Sequence, residues 1–196
     1  MKRDVEFLFE VGAMRFIPRQ WHRFHMFNVQ SLTEHHYRVI WLALLIAARE
    51  KKGDIEKIMK MALVHDVAES RTGDVDYLAR QYVTRNEDMA IQDILEDTSL
   101  EQEFIDIIQE YEKRESIESK IVKDADNIDV DLDLAEQALI GHEIRSEWQE
   151  MRDHVGKTKL YTKSAKLLQA EIRSANPHDW HTKSPRNRRA SGDWKK

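Results

Sequence analysis

Leu63-Val64-His65-Asp66-Val67-Ala68-Glu69-Ser70-Arg71-Thr72-Gly73-Asp74 is the stretch on which the reading of this chain turns. Upstream of it, Ile55, Ile58, Met59, Ala62 and Leu63 fall at i, i+3, i+4, i+7 and i+8, which is one face of an amphipathic helix. Continued from Ala62, that face carries His65, Asp66 and Glu69 where apolar residues belong. An imidazole and two carboxylates buried without partners cost several kcal/mol each. A divalent cation would satisfy all three. A core histidine bonded to a carbonyl, with Asp66 and Glu69 at a frayed helix end before Gly73, fits the same spacing. The rest of the chain has to decide.

Its 196 residues suit one domain with a substantial core. The hydrophobic share of 41% and charged share of 34% describe an ordinary core under a densely charged surface. Six Gly and three Pro are too few for a turn-rich all-β fold, and the absence of Cys excludes disulfides, thiolate zinc sites and cysteine nucleophiles. Any metal must sit on His and carboxylate. The opening Met1-Lys2-Arg3-Asp4-Val5-Glu6 has no secretory apolar run, and the longest apolar run, residues 39–48, is about half of what spans a bilayer. A cytoplasmic protein with no membrane partner is the expectation. From Ser174 onward six Lys/Arg stand against two Asp, which leaves the preceding body near −9 of a total of −5. So acidic a body argues against nucleic-acid binding.

Helical periodicity dominates the rest. Residues 4–14 put Val5, Leu8 and Phe9 on one face. The aromatic and basic segment from Arg15 to His25, broken by Pro18, reads as a structured loop: either a surface loop anchored by aromatics or a wall for an anion joined to a ring. Ser31-Leu32-Thr33-Glu34 is a capping box opening a helix on which His35, Val39, Leu42 and Ile46 form the buried stripe, with His36 turned away. Lys51-Lys52-Gly53 ends it and Asp54 caps the next, an antiparallel hairpin. Periodicity does not by itself bring His35 to His65. Asp74 can cap a short helix to Arg80, residues 86–96 form another, and Ser99-Leu100-Glu101-Gln102 reads as a second capping box before Phe104, Ile107, Ile108 and Tyr111. From Ser116 a long helix carries Ile117, Ile121, Ala125, Ile128, Leu132, Ala135 and Leu139. Its acidic flank (Asp124, Asp126, Asp129, Asp131, Asp133) reads mostly as a solvated face, with Asp126 the acid most able to turn inward. Residues 162–172 make a last helix. The fold class is all-α, with about six to eight helices: one domain over 1–173 and a basic tail, 174–196, expected to lack fixed structure.

Thr33-Glu34-His35, then His65-Asp66 through Gly73-Asp74, then Val122-Lys123-Asp124-Ala125-Asp126 resembles the HD-domain metal-dependent phosphohydrolases, and within them the small 5′-deoxynucleotidases of the HD-domain-containing protein 2 type. The resemblance covers residues 1 to about 172. It implies an HD-domain helical bundle with His35, His65, Asp66 and Asp126 around one divalent cation (Co²⁺, Mn²⁺ or Mg²⁺). It also implies Glu69 as catalytic acid, Asp74 near the sugar 3′-hydroxyl and the attacking water, Glu110 as an outer acid, and a homodimer. Arg15, with Phe16 beside it, falls at about the position of the phosphate-binding arginine. The loop is longer here than in the bacterial branch, so Arg19 or Arg23 can take that part.

The expected activity is hydrolysis of deoxyribonucleoside 5′-monophosphates. The cation would act as Lewis acid and source of the nucleophile, and Glu69 would activate water or protonate the leaving 5′-oxygen. Three rivals stand beside it: dNTP triphosphohydrolysis on the same site, a non-catalytic HD protein that binds metal or nucleotide to regulate, and a nucleic-acid role for the tail.

Overall fold

The structure, a computed structural model, describes residues 2–186. Its helices are α1 (Lys2–Ala13), α2 (Leu32–Glu50), α3 (Ile55–Val64), α4 (Glu69–Thr72), α5 (Glu87–Leu95), α6 (Glu101–Lys113), α7 (Ile117–Leu139), α8 (Ile144–Glu147), α9 (Gln149–Thr158), α10 (Lys163–Ser174) and α11 (Asp179–Thr182). Eight of them run nine residues or more, and no strand occurs among the described residues beyond a single Pro18–Ser31 bridge. The all-α expectation is borne out. No helix among the described residues is long and apolar enough to cross a membrane.

Local chemistry sets most boundaries. Ser31 and Glu34 close the capping box of α2, Asp54 accepts from the Lys57 amide at the start of α3, and Ser116 caps α7. Gly53, at φ +90, makes the α2–α3 turn, where a side chain would also meet Ile58 at 2.9 Å. The second capping box does not form: Ser99 instead donates its amide and hydroxyl to Asp4 of α1. Nor does Asp74 start a helix, since its carboxylate is engaged elsewhere and only a 3₁₀ turn, Ala79–Gln81, follows.

The long α7 is central, packed by α2, α3, α6, α8 and α10. Ile121, Ala125 and Ile128 meet Val39, Leu42 and Ile46 of α2 and Ile58 and Met61 of α3 in the main core. A second cluster joins Val64, Val67 and Ala68 to Ile94, Phe104 and Ile108, and a third joins Val130 and Leu134 to Met26 and Trp148. Being surrounded, α7 buries Asp124, Asp129, Asp131 and Asp133, so the reading of its flank as solvated is corrected. Each of the first three is bonded: Asp124 to Tyr161 and Thr162, Asp129 to His35 and Arg38, Asp131 to Arg152. In α1, Val5, Leu8 and Phe9 share a face that turns outward, while Phe7 and Val11 touch the core. Of residues 174–196, Asp179–Thr182 forms a helical turn, and residues 187–196 lie outside the described residues.

Candidate active site

The antiparallel α2–α3 hairpin brings the start of one helix to the end of the other. His35, one turn into α2, and His65, which caps α3, meet with their Nε2 atoms 3.3 Å apart. From α7, Asp126 Oδ1 lies 3.4 Å from His35 Nε2, and Asp66 Oδ2 lies 3.3 Å from His65 Nε2. One ligand atom from each of His35, His65, Asp66 and Asp126 falls within 4.8 Å of the others. A small inward shift lets a single cation with bonds of about 2.0–2.3 Å reach all four. Each ring's other nitrogen is already committed: His35 Nδ1 lies 2.8 Å from Asp129 and His65 Nδ1 2.9 Å from the Ala62 carbonyl. With the ring protons there, both Nε2 lone pairs are free to ligate.

The electrostatics favour a positive charge at this point. Burial and Arg19 oppose protonation of His35, but Asp126, Asp129 and Asp66 outweigh them and hold its pKa up at about 10. The Asp126 carboxyl, despite burial, is held well below its ordinary value by Lys123 and His35. A buried cluster that draws a proton this strongly also suits a metal ion. The donor set fits the cation that the sequence implies. His36, expected to be structural or exposed, is buried and bonded to the Leu63 carbonyl.

Glu69 begins α4, one turn beyond Asp66 and buried at the edge of the cluster. Arg85 donates to its Oε1 at 3.1 Å, while Oε2 has no hydrogen-bond partner. Burial first, then the charges of Asp66 and Asp74, push its pKa up to about 9. Asp74 is committed on both oxygens: Oδ2 accepts from the Gln20 amide at 3.0 Å and pairs with Arg19 Nη1 at 3.0 Å, and Oδ1 accepts from the Gln20 amide side chain.

The arginine that reaches this centre is Arg19. Its backbone is pinned against the α2 entrance by Arg19 N–H to the Gln30 carbonyl and Leu32 N–H to the Ile17 carbonyl. The side chain turns inward to Asp74 and lies 3.6 Å from Asp66 and 3.8 Å from Glu69. Arg15 and Phe16 are not brought here. The 3₁₀ turn Met14–Phe16 drives Met14 into the core and leaves its neighbours outside, with Arg15 over the Phe16 ring and Phe16 72% exposed. Arg23 pairs with Asp76 at 2.8 Å, away from the cluster. Glu110 also points elsewhere, to Lys57 at 3.1 Å.

A cavity of about 430 Å³ opens beside the cluster, lined among others by Arg19, Trp21, Glu69, Arg85, Lys123 and Asp126. Sequence reasoning does not single out three of these neighbours. Lys123 Nζ sits 2.8 Å from Asp126 Oδ2, and the i, i+3 spacing is the signal that could have found it. Arg85 leaves no local signal, since its link to Glu69 spans a loop. Trp21, edge-on to Trp148 with centroids 4.9 Å apart, belongs to the aromatic loop but to no period.

Residues 11–173 match the HD domain family. The chain belongs to that family. It is similar to proteins named 5′-deoxynucleotidase HDDC2: 33% identical over 136 residues to that of Danio rerio, covering 66% of this chain and 67% of the relative. The identity is 28% over 174 residues to that of Xenopus laevis, covering 86% and 84%. Among solved structures, a conserved hypothetical protein from Pyrococcus furiosus superposes with a TM-score of 0.71 at 27% identity, over 87% of this chain and 99% of its own.

Proposed function

We propose that this HD-domain protein is a metal-dependent phosphohydrolase that removes phosphate from deoxyribonucleoside 5′-monophosphates. The observation that carries it is the convergence of His35, His65, Asp66 and Asp126 on one point, beside a buried acid and a cavity of nucleotide size lined by both arginines and acids, with Trp21 in its wall. The relatives named 5′-deoxynucleotidase supply the substrate class.

One divalent cation would be held by the two Nε2 atoms and the two aspartates, and two imidazoles favour Co²⁺ or Mn²⁺ over Mg²⁺. When bound, it supplies Lewis acidity at the phosphate and a nucleophilic oxygen at neutral pH. Arg19 holds phosphate oxygens and offsets charge in the in-line transition state, with Asp74 and Gln20 fixing the arginine. Lys123 lies on the other side of Asp126 and adds positive charge there. Glu69, kept protonated by its surroundings, delivers the proton to the 5′-oxygen as the P–O5′ bond breaks and the water oxygen bonds to phosphorus. Arg85 holds its Oε1, while Oε2 makes no hydrogen bond and lies 3.8 Å from Arg19 Nη1, the group assigned to the phosphate. Trp21 offers the face against which a base can stack.

The working form is a homodimer. On α2, Tyr37, Trp41 and Leu45 face outward at i, i+4 and i+8, and on α3 so do Ile55, Met59 and Leu63. All six are 45–65% exposed on neighbouring antiparallel helices, an apolar face that a second copy would cover. A twofold axis over the α2–α3 seam would lay this face on its own copy.

Metal-stripped protein given Co²⁺, Mn²⁺ or Mg²⁺ and a panel of dNMPs, NMPs and dNTPs tests the reading. Phosphate release from dNMPs, dependent on added metal, is expected. Tripolyphosphate from dNTPs, or no product from any of them, would transfer the site to triphosphohydrolysis or to regulation.

A further inference from the structure

Asp129, one acid among five on the flank of α7, is wholly buried and accepts three hydrogen bonds. They come from His35 Nδ1 at 2.8 Å, the Gln30 side-chain amide at 2.5 Å and Arg38 Nε at 2.5 Å. It stands three residues after Asp126, so the same face of α7 carries one carboxylate to the ligand point and the next to the back of a ligand. The charge is balanced from behind: Arg38 also grips Glu136, with 2.9 Å to each of its oxygens. Asp129 does not line the cavity, so anything it does for the site passes through His35.

We infer that Asp129 is the positioning residue of the metal centre, fixing the His35 tautomer and ring plane and strengthening Nε2 as a donor. The inference rests on the metal-centre reading above. A neutral imidazole that keeps its proton on Nδ1, facing an acceptor, presents the lone pair at Nε2, here placed 3.4 Å from Asp126 and 3.6 Å from Asp66, so a cation that displaces the second proton finds the donor already aimed. The two histidines differ in that acceptor. His65 donates to a neutral carbonyl, whereas His35 donates to a carboxylate, which orients its ring more firmly and strengthens Nε2 as a donor. Gln30 and Arg38 keep the carboxylate from rotating, so the entrance to α2 and the first turn of that helix both bear on metal affinity.

The test is the Co²⁺ affinity of the full chain, by competition with a fluorescent chelator, for wild type, Asp129→Asn, Asp129→Ala and the control Asp124→Asn. Asp124 is an equally buried acid of α7 but caps the α10 entrance through Thr162, so its loss removes a buried charge without touching His35. Loss of a carboxylate behind a ligating histidine costs about 10–100-fold in metal affinity. Asp129→Asn, which keeps the shape, is expected to bind Co²⁺ at least tenfold more weakly and to shift the Co²⁺ visible absorption spectrum. Asp124→Asn is expected to change neither. If Asp129→Ala does not fold, the isosteric Asn variant decides. Wild-type affinity and spectrum in Asp129→Asn would overturn the inference alone, as would equal weakening in Asp124→Asn. Failure of wild type to bind Co²⁺ would overturn the metal centre and this inference with it.

Discussion

Glu69 separates binding from chemistry. It lies one helical turn past Asp66, and has one oxygen held by Arg85 and one that makes no hydrogen bond and lies 3.8 Å from Arg19. The four ligand atoms are complete without it. Glu69→Gln should therefore keep its cation, measured by elemental analysis, and lose about 10² to 10⁴ in kcat. Loss of the cation along with activity would make Glu69 a ligand and remove its proposed role as proton donor. Arg19→Ala should raise KM and lower kcat for dNMPs, whereas Arg15→Ala, outside the cavity, should leave both within twofold in steady-state assays. At this scale half of the candidate cluster was readable, because His65 and Asp66 on an apolar face must meet partners; His35 and Asp126 joined them only through the family resemblance, and Glu69, read on the same face, stands outside the four. The arginine was not readable. Three basic residues within nine positions of an aperiodic loop are equivalent in sequence, and only the backbone pairing of Arg19 with Gln30 chooses between them.

At the scale of elements, α7 holds the molecule together with buried acids. Asp124 accepts from the Tyr161 amide, the Thr162 amide and the Thr162 hydroxyl, each at 2.7 Å, and so fixes the start of α10. Asp124→Ala should destabilise the fold by roughly 2–4 kcal/mol, allowing about 1 kcal/mol per hydrogen bond with some unsatisfied donors left behind. Thermal melts should show a drop of about 5–15 °C. Asp133 is the opposite case. Burial above all, and then Asp129 and Glu136, push its carboxyl to about 6 from an unfolded value near 3.8, and its Oδ2 has no partner. A carboxyl raised in the folded state favours folding less as pH climbs through that window. Asp133→Asn should therefore raise the melting temperature at pH 7–8, with the gain fading by pH 4. A gain that is the same at both pH values would show that Asp133 is not ionising in the fold. The sequence hides these acids because charge on a helix flank is normally solvated, and nothing local says that α7 is enclosed on every side. Helix ends were more legible, since capping at Ser31, Asp54 and Ser116 is chemistry within three residues. Ser99 failed because a distant partner, Asp4, competed for it.

Over the whole molecule, the apolar periodicity of α3 carries two messages. Ile58, Met61 and Ala62 are core, while Ile55, Met59 and Leu63 from the same stripe stand outside with Tyr37, Trp41 and Leu45. The stripe is wider than the buried face, and the part left outside is the face assigned to the proposed dimer. Trp41→Glu combined with Met59→Glu should halve the mass seen by sedimentation equilibrium while leaving the helical circular dichroism unchanged. An unaltered mass would put the dimer contact elsewhere or remove it. All three scales meet in one proposal, that a cation held by His35, His65, Asp66 and Asp126 lets this bundle hydrolyse dNMPs. Its most direct test is to measure bound Co²⁺ and phosphate release from dNMP on the same samples of wild type and Asp126→Ala. The account predicts about one Co²⁺ per chain and turnover in wild type, with both lost in the variant. A folded Asp126→Ala that releases phosphate at the wild-type rate without bound metal would contradict it.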